Sequence, residues 1–61
     1  MNHYQATKIE PIDVIQAWDL NFCLGNVIKY IARAPYKGDE LGDLKKALDY
    51  LRREVERKEN G

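Results

Sequence analysis

Between Asn26 and Leu51 the chain reads NVIKYIARAPYKGDELGDLKKALDYL, two helix-period patterns parted by a short breaker carrying Pro35 and Gly38. Pro35 disfavours the α conformation at Ala34 and Gly38 supplies a flexible turn, so the chain must run helix, reversal, helix. With 61 residues there is room for one small domain. The expected fold class is all-α, a small three-helix domain made of a short helix followed by an antiparallel helical hairpin. Residues 1–61 form one unit, with an extended N-terminal arm over about residues 1–8.

A chain of this size buries only about 60% of the surface its unfolded form exposes. About 25 cal/mol per Å² of apolar burial, set against roughly 1.5 kcal/mol of ordering entropy per residue, comes out near zero. The lone Cys23 excludes an internal disulfide, and there is no His/Cys ligand set for a structural metal. Association into a homo-oligomer is the expected remaining source of stability. Ten Lys plus Arg balance ten Asp plus Glu, so nothing in the net charge calls for DNA or an anionic membrane surface. The start, MNHYQATKIEP, lacks a charged region followed by an apolar run, and no stretch approaches the roughly 18 apolar residues of a membrane span. A cytoplasmic, reducing location is expected.

In chain order, the polar stretch 1–8 has no periodicity, and its notable residues are His3 and Tyr4. They read either as a solvated tail or as a polar-tipped clasp over a ligand or neighbouring subunit. A first helix is expected to start near Pro11, which suits a first turn, with Glu10 and Asp13 at the positive end of its dipole. Ile12, Ile15 and Trp18 give it an apolar stripe only two turns long. Asn21 is the expected N-cap of a second helix running to about Ala34. On that helix Leu24, Val27, Ile28 and Ile31 share one face, and Asn26, Lys29, Tyr30 and Arg33 another. Lys29 and Arg33 are like charges four apart, a small penalty in an isolated helix that a bound anion would reverse. The breaker adds Tyr36 and Lys37. A third helix is expected from Asp39 or Glu40 to about Arg57, with an apolar seam of Leu41, Leu44, Leu48, Leu51 and Val55 that closes the core and meets a second subunit. Beside the seam lies a polar stripe of Asp43, Lys46, Tyr50 and Arg53. Charge runs such as RREVERKE usually form solvated faces, and that is the reading for Arg57 to Glu59. Gly42, in the first turn of this helix, marks either a close approach or a tolerated position.

Three chemistries can be set against these residues. There is no G-x-x-x-x-G-K-[ST] phosphate loop. A nucleophilic triad is implausible, because Cys23 has apolar neighbours and the only histidine is in the arm. Metal-assisted phosphate chemistry is compatible with the pattern: Asp39, Glu40 and Asp43 fall within one turn, near Lys29, Arg33, Lys37 and Lys46. Tyr30, Tyr36 and Tyr50 offer rings on which a base can stack. The bland alternative is a plain helical-hairpin surface.

The segments HY at 3–4, IEPIDVI at 9–15, NF at 21–22, LGNVIKYIARA at 24–34, KGDE at 37–40 and DLKKALDYL at 43–51 together resemble the family of short phage-encoded proteins known as phage nucleotide kinases. That family takes its name from a coliphage member that phosphorylates deoxynucleoside monophosphates without a P-loop. The resemblance covers nearly the whole chain. It implies a phage protein with Asn26, Lys29, Tyr30, Arg33, Lys37, Asp43, Lys46 and Tyr50 at positions where the family pattern is polar. The kinase relative is a longer chain of which this domain is one part, so the resemblance reaches nucleotide binding before catalysis.

The leading expectation is a nucleotide-binding protein. Lys29, Arg33 and Lys46 hold phosphate, Tyr30 or Tyr50 stacks a base, and His3, Tyr4, Asn26 and Lys37 line the ligand site. If phosphoryl transfer occurs, Lys29 and Arg33 neutralise the developing charge, while Asp43, with Glu40, holds Mg²⁺. A non-catalytic sponge for a nucleotide signal of host defence is the second reading. A helical protein–protein adaptor is the third. An all-α pyrophosphatase, suggested by DELGDL at 39–44, ranks last because Glu10 and Asp13 substitute poorly for its upstream acidic pair.

Overall fold

A computed structural model describes residues 9–61; the expectations for the arm, including those for His3 and Tyr4, lie outside the described residues. Three helices follow in order, α1 over Pro11–Ala17, α2 over Phe22–Arg33 and α3 over Glu40–Asn60. No helix among the described residues is long and apolar enough to cross a membrane.

Each boundary follows from local chemistry. Pro11 opens α1, and the Asp13 carboxylate accepts the Glu10 backbone N–H at 2.9 Å. The helix closes in a Schellman motif: Leu20 N–H donates to the Ile15 carbonyl at 3.0 Å and Asp19 N–H to that of Gln16 at 3.2 Å. The motif needs a left-handed residue, and Asp19 supplies it at φ 53°. Asn21 caps α2 as expected, its Oδ1 accepting the Leu24 N–H at 2.9 Å. Asp39 caps α3, accepting the Gly42 N–H at 3.2 Å. A Cβ at position 42 would collide with that carboxylate, so the close approach at Gly42 is to its own helix cap. Gly38, at φ 86°, makes the turn between α2 and α3.

The helices lie side by side. α1 rests on α2 through Ile15, which sits against the buried Gly25, and α2 pairs with α3; α1 makes no close approach to α3. The α2–α3 seam is narrow because its buried apolar residues, Val27, Ala34 and Ala47, are small. Polar clasps hold its two ends. Near the turn Arg33 Nε donates to Asp43 at 3.2 Å, and at the far end Asn21 Nδ2 donates to Glu54 at 3.0 Å. The molecule is 10 Å through its shortest axis, one helix layer deep.

The leucine seam of α3 departs from expectation. Leu41, Leu44, Leu48, Leu51 and Val55 are 41–64% exposed and do not close the hairpin core. The stripe that does, Asp43, Ala47, Tyr50 and Glu54, lies about 110° around the helix at 100° per residue. Close packing against α2 selects small or hydrogen-bonded residues there, and a search for apolar spacing passes over them.

Candidate functional site

The hairpin's antiparallel register sets Tyr30 of α2 against Tyr50 of α3. Their rings are nearly parallel, 6.0 Å between centroids and 14° between planes. Phe22, at the start of α2, meets Tyr50 edge-on at 5.9 Å and 73°. Around this aromatic line stand four cations. Lys29 Nζ lies 5.0 Å, Lys46 Nζ 5.5 Å and the Arg33 guanidinium 5.8 Å from the Tyr30 centroid, and the Arg53 guanidinium lies 5.8 Å from that of Tyr50. All fall within the range of cation–π attraction.

The ion pairs near this face take up only part of its charge. Arg33 is bound to Asp43, and Arg53 to Asp49 at 3.3 Å. Lys29 and Lys46 form no ion pair among the described residues. Like charges converging on one ring repel each other, so the face carries an uncompensated positive potential suited to an anion.

Two open clefts flank the aromatic line. One, about 370 Å³, is lined by Tyr30, Lys45, Lys46, Asp49 and Tyr50. The other, about 330 Å³, lies between α1 and α2, with Ile15, Leu20 and Phe22 giving apolar walls and Asn26 and Lys29 polar ones. Both are in the size range of small-ligand sites. Lys29 borders the second cleft and also overhangs Tyr30, so it stands between the two.

The structure thus brings together Lys29, Tyr30, Arg33, Lys46 and Tyr50. Asn26 is adjacent, its Nδ2 donating to the Phe22 carbonyl at 2.9 Å. Lys37 is exposed in the α2–α3 turn and lines neither cleft. Glu40 is exposed in the first turn of α3, whereas Asp43 is 2% exposed and bonded to Arg33. Among the described residues no group of three His, Cys, Asp or Glu is placed to hold a metal ion. Of the two carboxylates expected to hold Mg²⁺, Glu40 stands in solvent and Asp43 faces the Arg33 guanidinium inside the hairpin. That hydrogen bond fixes the position of the Arg33 side chain.

Sequence reading passed over Phe22, Lys45 and Asp49, and also the buried Glu54. Phe22 falls four before Asn26 on the same helical stripe, and Asp49 four before Arg53, so helical spacing carried a signal for both. Glu54 lies in a charge-rich run, where nothing in the local pattern singles it out. Its carboxylate accepts from Asn21 and, at 2.8 Å, from Arg57. Those hydrogen bonds, that of Asn21 first, hold its carboxyl below the usual carboxylate range.

A family model covering proteins of unknown function, DUF3310, matches residues 1–52. The chain belongs to the DUF3310 family. No curated protein and no solved structure matches it. The DUF3310 match takes in Tyr30, Lys29, Arg33, Lys46 and Tyr50, and ends before Arg53 and the Glu54 clasp.

Proposed function

We propose that this protein binds a nucleotide on the Tyr30–Tyr50 face, with the phosphate held by Lys29, Lys46 and Arg33 and the base against a tyrosine ring. The observation that supports this most is the convergence of an arginine and two lysines, the lysines without ion pairs among the described residues, on one half-buried aromatic pair. Each cation gains a modest attraction to the ring in the fold alone. Cations gathered around one ring also repel each other, and phosphate oxygens lying between them offset that repulsion. Arg33, held by Asp43, presents a guanidinium in fixed geometry, while the lysines supply mobile point charges. The open, sequence-tolerant stacking surface suits a planar base.

The resemblance to phage nucleotide kinases supports phosphoryl transfer as an extension of this reading, with Lys29, Arg33 and Lys46 stabilising charge on the transferred group. The engagement of Asp43 with Arg33 favours binding without transfer, as in a sponge that sequesters a nucleotide signal. A thermal-shift screen across nucleoside mono- and triphosphates and cyclic nucleotides tests the binding reading. Ligand at a hundred times Kd adds about 2.7 kcal/mol of stability. No shift with any of them overturns it. Incubation with ATP, Mg²⁺ and dTMP or dGMP then separates the two forms: diphosphate product above a Lys29→Ala control identifies a kinase, and intact recovery of a bound ligand identifies a sponge.

A further inference from the structure

We infer that the face of the layer opposite the tyrosines is the contact surface for a second copy of this chain, paired through the α3 leucine seam. Leu41, Leu44, Leu48, Leu51 and Val55 follow steps of three and four without interruption, and all remain at least 41% exposed. Ile31 of α2, 50% exposed, lies on the same side of the hairpin and widens the strip. The strip runs about 21 Å along α3 at 1.5 Å per residue. Monomeric proteins seldom leave so continuous an apolar surface uncovered.

The occupant follows from the architecture. A stable domain needs two packed layers, and the described residues supply one, 10 Å deep, whose buried apolar residues are only Val27, Ala34 and Ala47. A second hairpin laid on the seam gives a four-helix arrangement with the missing core. A heptad-spaced leucine stripe is self-complementary, as an isologous two-fold contact requires, and a formal net charge of zero raises no barrier between copies. An antiparallel pairing centred on Leu48, the middle of the seam, sets Leu41 against Val55 of the second copy and brings the two Leu48 positions together. In such a dimer the two Tyr30–Tyr50 faces point outward.

Light scattering and thermal melting of the purified full chain over a range of concentrations test this. The expected mass is twice the 7.1 kDa of the chain, with a melting temperature that rises with concentration. Leu48→Glu lowers the mass to that of one chain or removes the helical circular dichroism, because the core is lost. Disulfide trapping keeps the test decisive if that variant unfolds. In a Cys23→Ser background, Leu48→Cys cross-links to a dimer under mild oxidation and Arg53→Cys, on the opposite face, does not. A helical wild-type chain that stays at the single-chain mass at every concentration overturns the inference, and so does trapping through position 53 in preference to position 48. Ligand binding on the tyrosine face does not depend on either result.

Discussion

Asp43 and Glu54 are both carboxylates buried in the α2–α3 seam, and they differ in what their loss should do. Among the described residues the Asp43 carboxylate is hydrogen-bonded to Nε of Arg33 alone, whose side chain is 43% exposed and can return to water. Asp43→Ala should therefore cost about 1–3 kcal/mol, the price of a charge-assisted bond, and not the larger penalty of a stranded buried charge. It should also free Arg33 from its fixed position and weaken nucleotide binding, which separates it from a purely structural change. Chemical denaturation and titration of the same variant read both effects. Glu54 carries the pH dependence. Its folded carboxyl titrates below the ordinary value, so the stability it contributes is full above the unfolded value and is lost as pH falls through the folded one. Melting temperatures measured from neutral to acid pH should fall more steeply for the wild type than for Glu54→Gln. Equal slopes would remove Glu54 from the clasp.

At the scale of elements, the helix ends were readable from sequence because capping is local. Pro11, Asn21 and the Asp39–Glu40 start all stand where adjacent residues imply, and α3 runs three residues beyond the expected end at about Arg57. Asn21→Ala should lose about 1 kcal/mol from the cap alone, together with the tie to Glu54. The Schellman turn after α1 was not readable, since Asp at a left-handed position is a departure from the glycine norm. Asp19→Gly relieves that backbone and removes a carboxylate from the negative end of the α1 dipole, so a gain of about 0.5–1 kcal/mol is expected in denaturant unfolding. The α3 seam shows the limit of periodicity. Leucine spacing marks a face that wants covering, but it does not say which neighbour covers it, and the stripe facing α2 has Asp43, Ala47 and Glu54 where a hydropathy count sees nothing.

For the whole molecule, the single layer divides function from assembly. Apolar residues of α2 and α3 gather on one side; Lys29, Tyr30, Arg33, Lys46 and Tyr50 gather on the other. Helical spacing placed these five on two separate faces, and only the antiparallel register of the hairpin brought the faces to one ring pair. Calorimetric titration with nucleotides, comparing wild type with Lys29→Ala and Lys46→Ala, tests that face most directly. Saturable binding weakened about tenfold or more by each substitution, as the loss of a charge-assisted phosphate contact requires, with helicity unchanged, is the predicted result. Binding of undiminished affinity in both variants, or no heat with any nucleotide, would contradict it.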